Sequence, residues 1–282
     1  MLRRAGICLL VLMVSCIQVS AQRFALIAPD DAAASVAFAD RLAAEIGKRH
    51  EVLDASLVRA ASSATHPESP FNMTRDDART VAAAIGCDAL VMVRAATLRR
   101  SSSARPEYYE SAAFIYLISA RSGRLTLWKA LIHEAPTAAA AEEARDRAVP
   151  TLADELRLTW AKTAKAELIE PEPPKMEQVP EGDVPKNERF RAPIPYRRIK
   201  PEYTAEAAFY DVAATVDIWV DLAADGTILR TEIDRWAGFG LDESVERAVR
   251  TMNWRPAERN GKTLPMRFLL RYNFKALDKG MK

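Results

Sequence analysis

A proline-rich segment across the middle of the chain places the strongest constraint on its fold. Residues 170–195 interleave charged side chains with prolines, at Pro171, Pro173, Pro174, Pro180, Pro185, Pro193 and Pro195. Such a sequence cannot bury a core and favours an extended polyproline conformation, which at about 3.1 Å per residue would span on the order of 80 Å. We therefore predict an N-terminal domain at residues 22–168, a linker at 169–194 and a C-terminal domain at 195–282.

The composition is that of a globular protein. Of the 282 residues, 49% are hydrophobic and 28% are charged, as in ordinary soluble domains. The formal net charge is +2, and the sequence contains no long block of Lys and Arg. A nucleic-acid binder would concentrate positive charge on one face or tail, so nucleic acid is not an expected partner.

The amino terminus has the organisation of an export signal. A pair of arginines precedes an apolar run at residues 5–15, and small side chains at residues 19–21 offer a signal peptidase site. This pattern predicts a signal peptide at residues 1–21 and a mature chain that begins at Gln22. The predicted location is the periplasm or cell envelope.

Two other interpretations of the amino terminus stay open. Residues 13–16 (Met-Val-Ser-Cys) are similar to a lipobox, in which Cys16 would carry a lipid anchor. Residues 5–21 are also about long enough to remain as an uncleaved membrane anchor. Both alternatives keep the protein in the cell envelope.

The N-terminal half alternates strand and helix patterns. A short apolar strand at residues 24–29 precedes a helix with Val36, Phe38, Leu42 and Ile46 near one face and Gly47 at its end. Further elements are a helix at 74–85, strands at 89–98, 113–120 and 125–128, and a helix at 138–165 that is interrupted or restarted at Pro150. The order β-α-β-α-β-β-β-α predicts an α/β sandwich with a mixed sheet.

Two motifs of this half have a weak resemblance to known families. The first motif is residues 83–91 (Ala-Ala-Ile-Gly-Cys-Asp-Ala-Leu-Val), and the second is residues 119–128 (Ser-Ala-Arg-Ser-Gly-Arg-Leu-Thr-Leu-Trp). Both are similar to segments in the N-terminal domains of TolB-like and CsgG-like envelope proteins. The resemblance implies a partner-binding envelope module. It transfers no catalytic residue.

The C-terminal half has sharper periodicity. Apolar residues alternate with polar ones along residues 211–222, Asp225-Gly226 is a strong hairpin signal, and alternation resumes at 229–234. An amphipathic helix at 241–252 and an alternating strand at 266–274 follow. The predicted unit is β-β-α-β with a three-stranded antiparallel sheet, so the whole chain is α+β. Residues from about 193 to 274 are predicted to fold alone.

An open strand edge is the expected functional feature of this unit. One helix covers only one face of a three-stranded sheet, and an edge strand offers unpaired N–H and C=O groups to an extended peptide. The same alternation places Asp217, Trp219 and Asp221 on the exposed face, where Trp219 is an interface candidate. Trp254 precedes Pro256 at a turn and is expected in the core.

These residues also resemble the C-terminal domain of the TonB family. The motifs, in order, are residues 199–203 (Ile-Lys-Pro-Glu-Tyr), 216–221 (Val-Asp-Ile-Trp-Val-Asp) with Asp225-Gly226, 241–249 (Leu-Asp-Glu-Ser-Val-Glu-Arg-Ala-Val), 254–257 (Trp-Arg-Pro-Ala) and 260–262 (Asn-Gly-Lys). The resemblance implies a periplasmic module that binds the extended TonB box of an outer-membrane transporter and transmits force from an inner-membrane motor.

The chain departs from this family at two places. Tyr210-Asp211 stands where the family usually has Gly before its first strand, and the apolar amino-terminal segment is short and contains no His. A globular domain also precedes the proline-rich segment. The connection to inner-membrane motor subunits is therefore left open.

The resemblance places the partner peptide on the last strand. Its outward residues Arg267, Leu269, Arg271 and Asn273, with Trp219, are the predicted partner-binding residues. The expected partner is an extended segment of an outer-membrane transporter or another envelope protein. The alternative is an envelope scaffold or lipoprotein that assembles through the same edge without energy transduction, and a homodimer also stays open.

The residues that usually carry chemistry are sparse. His50, His66 and His133 are the three histidines, and none stands at a ligand-like spacing from another His or Cys. Cys87 lies in an apolar stretch with no cation close in sequence, and is expected to behave as a small buried hydrophobic residue. No catalytic residue, metal or cofactor is predicted, and the chain is not expected to be an enzyme.

Overall fold

The computed structural model describes residues 22–65, 67–180 and 189–275. The predicted signal segment with Cys16, and also His66, lie outside the described residues. No helix in the described part of the chain is long and apolar enough to cross a bilayer.

Residues 23–169 form the N-terminal unit, a mixed sheet packed between helices. Its strands are β1 (Arg23–Ile27), β2 (Glu51–Val52), β3 (Ala89–Arg100), β4 (Tyr108–Ser119) and β5 (Leu125–Ala135). Its helices are α1 (Ala33–Ile46), α2 (Ala55–Thr65), α3 (Arg75–Ile85), α4 (Ala138–Arg147) and α5 (Val149–Ile169). The strand order is β2-β1-β3-β4-β5, in which β1 is parallel to β2 and β3 and the other pairs are antiparallel. The predicted α/β sandwich with a mixed sheet is confirmed.

Local signals in the sequence fix several element ends. Thr74 and Asp77 form a reciprocal capping box at the start of α3, and Gly86 ends that helix in the left-handed conformation with φ of 78°. Pro150 lies in the first turn of α5, where its missing N–H has no helical acceptor to lose. Helix α2 was not predicted, because only Val58 of that helix is buried and its apolar pattern is therefore weak.

Both faces of the N-terminal sheet are covered. On one face, Phe24, Val91 and Ile115 pack against Phe38 of α1 and Trp160 of α5. On the other face, helices α2 and α3 cover part of the sheet, and the C-terminal half of the chain covers the part formed by β4 and β5. A sheet buried on both faces explains the long apolar runs in β3 and β4.

Residues 189–275 form the C-terminal unit. Its elements are β6 (Phe190–Arg191), β7 (Ile194–Pro195), α6 (Ala205–Phe209), β8 (Ala214–Leu222), β9 (Ile228–Arg235), α7 (Leu241–Arg250), β10 (Trp254–Arg255), β11 (Ala257–Arg259), β12 (Lys262–Leu264) and β13 (Met266–Phe274). The central sheet has the order β13-β8-β9 and is antiparallel, as predicted. Strand β8 begins at Ala214 and not at Asp211, because Asp211 adopts a φ of 50° in the turn before it.

Aromatic side chains join the two units. The ring of Phe239 lies 4.6 Å from that of Trp128 and 5.1 Å from that of Phe114, between ring centroids. The indole of Trp236 lies 5.8 Å from the ring of Tyr116, and its N–H donates to the carbonyl of Gly123 at 3.3 Å. One continuous hydrophobic cluster thus contains residues of both units. That residues 193–274 fold alone remains a prediction.

The proline-rich segment contacts both units over part of its length. Glu170 accepts two hydrogen bonds from Arg124, at 2.6 and 2.9 Å. Residues 170–180, called the strap below, then run to the start of β13. The extended spacer predicted from composition is thus held against the protein over these residues. Strands β6 and β7 pair with β11 and β10.

Candidate functional site

The outer edge of β13 is the candidate site. Strand β13 pairs with β8 along its whole length, from Met266 opposite Leu222 to Phe274 opposite Ala214. No other named strand of the described residues pairs with β13. Its second edge therefore faces outward, as predicted for this unit.

The backbone at Arg267 shows which residues present their polar groups on that edge. The Arg267 N–H donates to the carbonyl of Glu177 at 2.8 Å, and its carbonyl accepts from the N–H of Val179 at 2.9 Å. Both groups of Arg267 thus point away from β8. Because the direction alternates along an antiparallel strand, the N–H and C=O groups of Leu269, Arg271 and Asn273 point outward as well.

The side chains of these residues give the edge a mixed character. Leu269 is 38% exposed and lies opposite Trp219 of β8. Asn273 accepts a hydrogen bond from the Thr215 hydroxyl at 2.9 Å. The structure thus places Leu269, Arg271, Asn273 and Trp219 around one stretch of strand edge.

Alternation along β13 predicted that Arg267 would carry an outward-facing charge, and the structure places its side chain differently. Its guanidinium donates to Asp221 at 3.2 Å and to Glu232 at 2.7 Å, and it lies over the Trp219 ring at 5.1 Å from the centroid. The side chain is therefore half-buried in an ion-pair cluster. It also covers part of Trp219.

The expectation that Asp217 and Asp221 lie on an exposed face is wrong. Asp217 is 1% exposed and Asp221 is 6% exposed. Asp217 accepts from Arg271 at 2.7 and 2.9 Å and from Arg235 at 3.2 Å. A buried carboxylate is tolerated when cations from neighbouring strands pair with it. The hydrogen bond to Asp217 raises the pKa of Arg271.

The face of the β13-β8-β9 sheet that carries Asp217, Asp221 and Arg267, called the ionic face below, also contacts side chains of the N-terminal unit. Glu232 of β9 also contacts Arg75, and lies 3.5 Å from Arg124. Burial, together with the nearby charge of Arg124, lowers the pKa of Arg75 to about 10. The carboxylates of the β8 and β9 strands therefore serve as ion-pair partners of arginines from both units.

At the end of β9, the N-terminal unit contacts both β9 and the start of β8. The side-chain amide of Asn72 donates to the Thr215 carbonyl at 2.8 Å and accepts from its N–H at 2.9 Å, in the manner of a neighbouring peptide group. Thr74 forms a bridge with Arg235, and the Trp236 N–H donates to the Met73 carbonyl at 3.4 Å. Each outer strand of the sheet thus carries one isolated bridge to a segment outside it, Arg235 of β9 to Thr74 and Arg267 of β13 to Gln178.

The strap contacts were not predicted from the sequence. Gln178 forms a parallel bridge with Arg267, although the strap comes from a segment whose composition predicts an exposed linker. The apolar residues Met176 and Val179 within this segment were the available signal, and Val179 packs against the hydrophobic cluster.

Cys87 and Trp254, two further residues considered from the sequence, are both buried. The Sγ of Cys87 is buried, and burial raises the pKa of its thiol to about 12. Trp254 lies in the core as predicted, beside the ring of Phe268 at 5.0 Å. Across the described ranges, no group of three or more His, Cys, Asp or Glu side chains could hold a metal ion.

Comparison with known proteins places this edge in a family context. Residues 199–276 match the model of the Gram-negative bacterial TonB protein C-terminal family. The solution structure of the Pseudomonas aeruginosa TonB C-terminal domain is 20% identical, with a TM-score of 0.27, and the match covers 32% of this chain and 90% of that one. No curated protein compared with the chain matches it in sequence.

Two further solved structures are similar at low identity. Lipoprotein GNA1162 from Neisseria meningitidis is 11% identical with a TM-score of 0.34, covering 48% of this chain and 98% of its own. The hypothetical protein CT253 from Chlamydia trachomatis is 11% identical with a TM-score of 0.28, covering 52% of this chain and 96% of its own.

Proposed function

We propose that the TonB C-terminal domain formed by residues 199–276 of this chain binds extended peptide segments of envelope proteins by strand addition at the outer edge of β13. The observation that carries the proposal is the outward-facing edge from Leu269 to Asn273, beside which no strand of the described residues lies. The family is one of non-enzymatic interaction domains, and the proposed activity is binding.

The chemistry of the edge suits a short extended peptide. Leu269, Arg271 and Asn273 each offer one N–H and one C=O, and a peptide that pairs with them exchanges bonds with water for bonds within a sheet. Each such bond contributes roughly 0.5–1.5 kcal/mol. Leu269 and the uncovered part of Trp219 add apolar contact. The proposed partner is a segment of an outer-membrane transporter, such as a TonB box.

One observation favours a second function, assembly without energy transduction. The strap and the aromatic contacts hold the C-terminal unit against the N-terminal unit, so residues 170–180 do not act as a free spacer. A scaffold that presents the β13 edge at a fixed position would use this arrangement. Pull-down from envelope extracts separates the two: TonB-dependent transporters and motor subunits support transport, and other lipoproteins support assembly.

The test of strand addition is a pair of substitutions at Leu269. Leu269→Pro removes an outward N–H without removing a bond to β8, whereas Leu269→Ala keeps the N–H and shortens the side chain. We expect the parent and the Ala variant to bind a TonB-box peptide, and the Pro variant to lose binding while its circular dichroism stays native. Equal binding by folded Pro and Ala variants would contradict the proposal.

The proposed location is the periplasm, with a mature chain that begins at Gln22. The support is the export pattern of residues 1–21. Intact-mass measurement of the protein purified from its native envelope tests this directly. A diacylglycerol on Cys16 would establish the lipoprotein alternative, and an unprocessed Met1 would establish the anchor.

A further inference from the structure

Part of the β13 edge is already occupied by the chain itself. Around Arg267, residues 177–179 form one parallel step of strand addition, with hydrogen bonds of 2.8 and 2.9 Å to the Arg267 backbone. These are the outward groups that continue, two residues further on, at Leu269. The strap therefore occupies the first register position of the edge on which the proposed function depends.

Side chains hold the strap at this position. Glu177 accepts from the guanidinium of Arg259 at 2.5 and 3.2 Å, and Val179 packs against the hydrophobic cluster of the protein. At its other end, Glu170 is paired with Arg124 of the N-terminal unit. The segment is thus fixed at both ends, and it lies across the ionic face that contains Arg267 and Glu232.

We propose that residues 177–179 are an intramolecular competitor for the β13 edge, displaced when a partner peptide extends its pairing from Leu269 to Arg267. This inference rests on the proposed function of that edge. Both ligands would use the same N–H and C=O of Arg267, so they cannot bind there together. When the strap is closed, that is, hydrogen-bonded to Arg267, the backbone groups of Leu269, Arg271 and Asn273 remain available for first contact with the peptide.

Competition of this kind weakens apparent affinity. When the strap is closed for most of the time, the apparent dissociation constant is the intrinsic value divided by the fraction of molecules that are open. Loss of one of the two strap hydrogen bonds, at about 1 kcal/mol, corresponds to an increase in peptide affinity of about fivefold.

The strap itself provides a matched pair of variants. Val179→Pro removes the N–H that donates to Arg267. In this parallel bridge the backbone N–H and C=O of Gln178 point away from β13. Gln178→Pro therefore leaves both hydrogen bonds to Arg267 in place. Val179→Ala keeps the N–H and reports on the loss of side-chain packing.

The experiment has one readout without peptide and one with it. Amide hydrogen exchange of Arg267 is measured in the mature chain, and binding of a TonB-box peptide is measured by fluorescence anisotropy. We expect Arg267 to be protected in the parent and in Gln178→Pro and to exchange faster in Val179→Pro. We also expect about fivefold tighter peptide binding by Val179→Pro than by Gln178→Pro.

The outcomes separate this inference from the proposed function. Exchange of the Arg267 amide in the parent at the rate of an unprotected amide would show that the strap is not closed in solution and overturns the inference. Protection of Arg267 with equal peptide affinity in both variants overturns competition alone, while strand addition stands. If no variant binds peptide and Arg267 is protected, both proposals fail and the strap is structural only.

Discussion

The backbone of Gly238 lies directly against the indole of Trp128. A β-carbon on residue 238 would lie 2.4 Å from Cδ1 of Trp128 and 2.7 Å from its Nε1. Gly238 also has a φ of 74°, which side chains disfavour. The next residue, Phe239, fills the space between Trp128 and Phe114. Contact between the two units therefore depends on a glycine at this turn.

Gly238→Ala is expected to loosen the contact between the two units. The added methyl group must displace the indole or the turn, which adds to the strain of a positive φ. We expect a loss of about 2–4 kcal/mol in the free energy of unfolding, measured by urea denaturation with tryptophan fluorescence. Gly261→Ala is the control, because Gly261 has a φ of 81° but no atom within 4 Å of its added β-carbon. Equal losses in the two variants would exclude a steric role for Trp128.

Arg267→Glu is expected to destabilise the protein through the ion-pair cluster. The new carboxylate would face Asp221 and Glu232, two largely buried acids that Arg267 now neutralises. We expect a loss of about 3 kcal/mol in the free energy of unfolding, and a smaller loss for Arg267→Gln, which keeps hydrogen-bond donors. Urea denaturation checks this order. If the Glu variant is as stable as the Gln variant, the cluster is not energetically coupled to Arg267.

This prediction changes how peptide binding should be tested. Substitution of Arg267 by Glu alters folding as well as outward charge, so its effect on a partner peptide cannot be assigned to charge alone. Leu269 makes no side-chain hydrogen bond or ion pair in the structure and gives the cleaner comparison.

The thiol of Cys87 is expected to be unreactive in the folded protein. Burial raises its pKa to about 12, so the thiolate fraction at pH 8 is far below that of an ordinary thiol. In the chain from Gln22, where Cys87 is the remaining cysteine, reaction with a disulfide reagent should be at least about 100-fold slower than in urea-unfolded protein. Rapid labelling of the native chain would show that the β3 side of the core opens readily.

Asp242 is expected to give the stability a specific pH dependence. Burial raises the pKa of this carboxyl to about 7, although the N–H groups of Gly238 and Ala237 donate to it and lower the pKa in part. The folded state therefore binds a proton that the unfolded chain has lost above pH about 4. The associated stability is present at low pH and decreases as the pH rises from 4 to 7, by at most about 1.4 kcal/mol per pH unit.

The comparison that isolates this effect uses Asp242→Asn, which does not titrate. We expect the free energy of unfolding of the parent, minus that of the variant, to fall between pH 4.5 and 7.5 in urea denaturation. A difference that is constant over this range would show that the hydrogen bonds from Ala237 and Gly238 offset burial, and one that rises with pH would show that they outweigh it.

The parts of the fold that depend on local sequence could be predicted. Thr74 with Asp77, Gly86, and Asp225-Gly226 each act through bonds to residues a few positions away, so the sequence carries the whole signal. The antiparallel sheet and its edge strand β13 followed from alternation and from turn signals.

The features that depend on distant partners could not be predicted. Alternation placed Asp217 on the face away from the core, but its burial depends on Arg235 and Arg271, which lie 18 and 54 residues away. The contact of Trp236 with Tyr116 and the bonds of Asn72 to Thr215 likewise join segments that no local pattern relates. The position of the strap depends on a backbone C=O and a backbone N–H, groups that nearly every residue carries, so the sequence carries no specific signal for it.

The contact of Asn72 closes one corner of the C-terminal sheet to an added strand. Beyond the end of β9, the Asn72 side chain pairs with both backbone groups of Thr215 in β8, and Thr74 bridges Arg235 at the end of β9. A peptide added at this corner would have to displace the N-terminal unit from both residues. The interface between the two units therefore also protects backbone groups of the sheet from pairing with another chain.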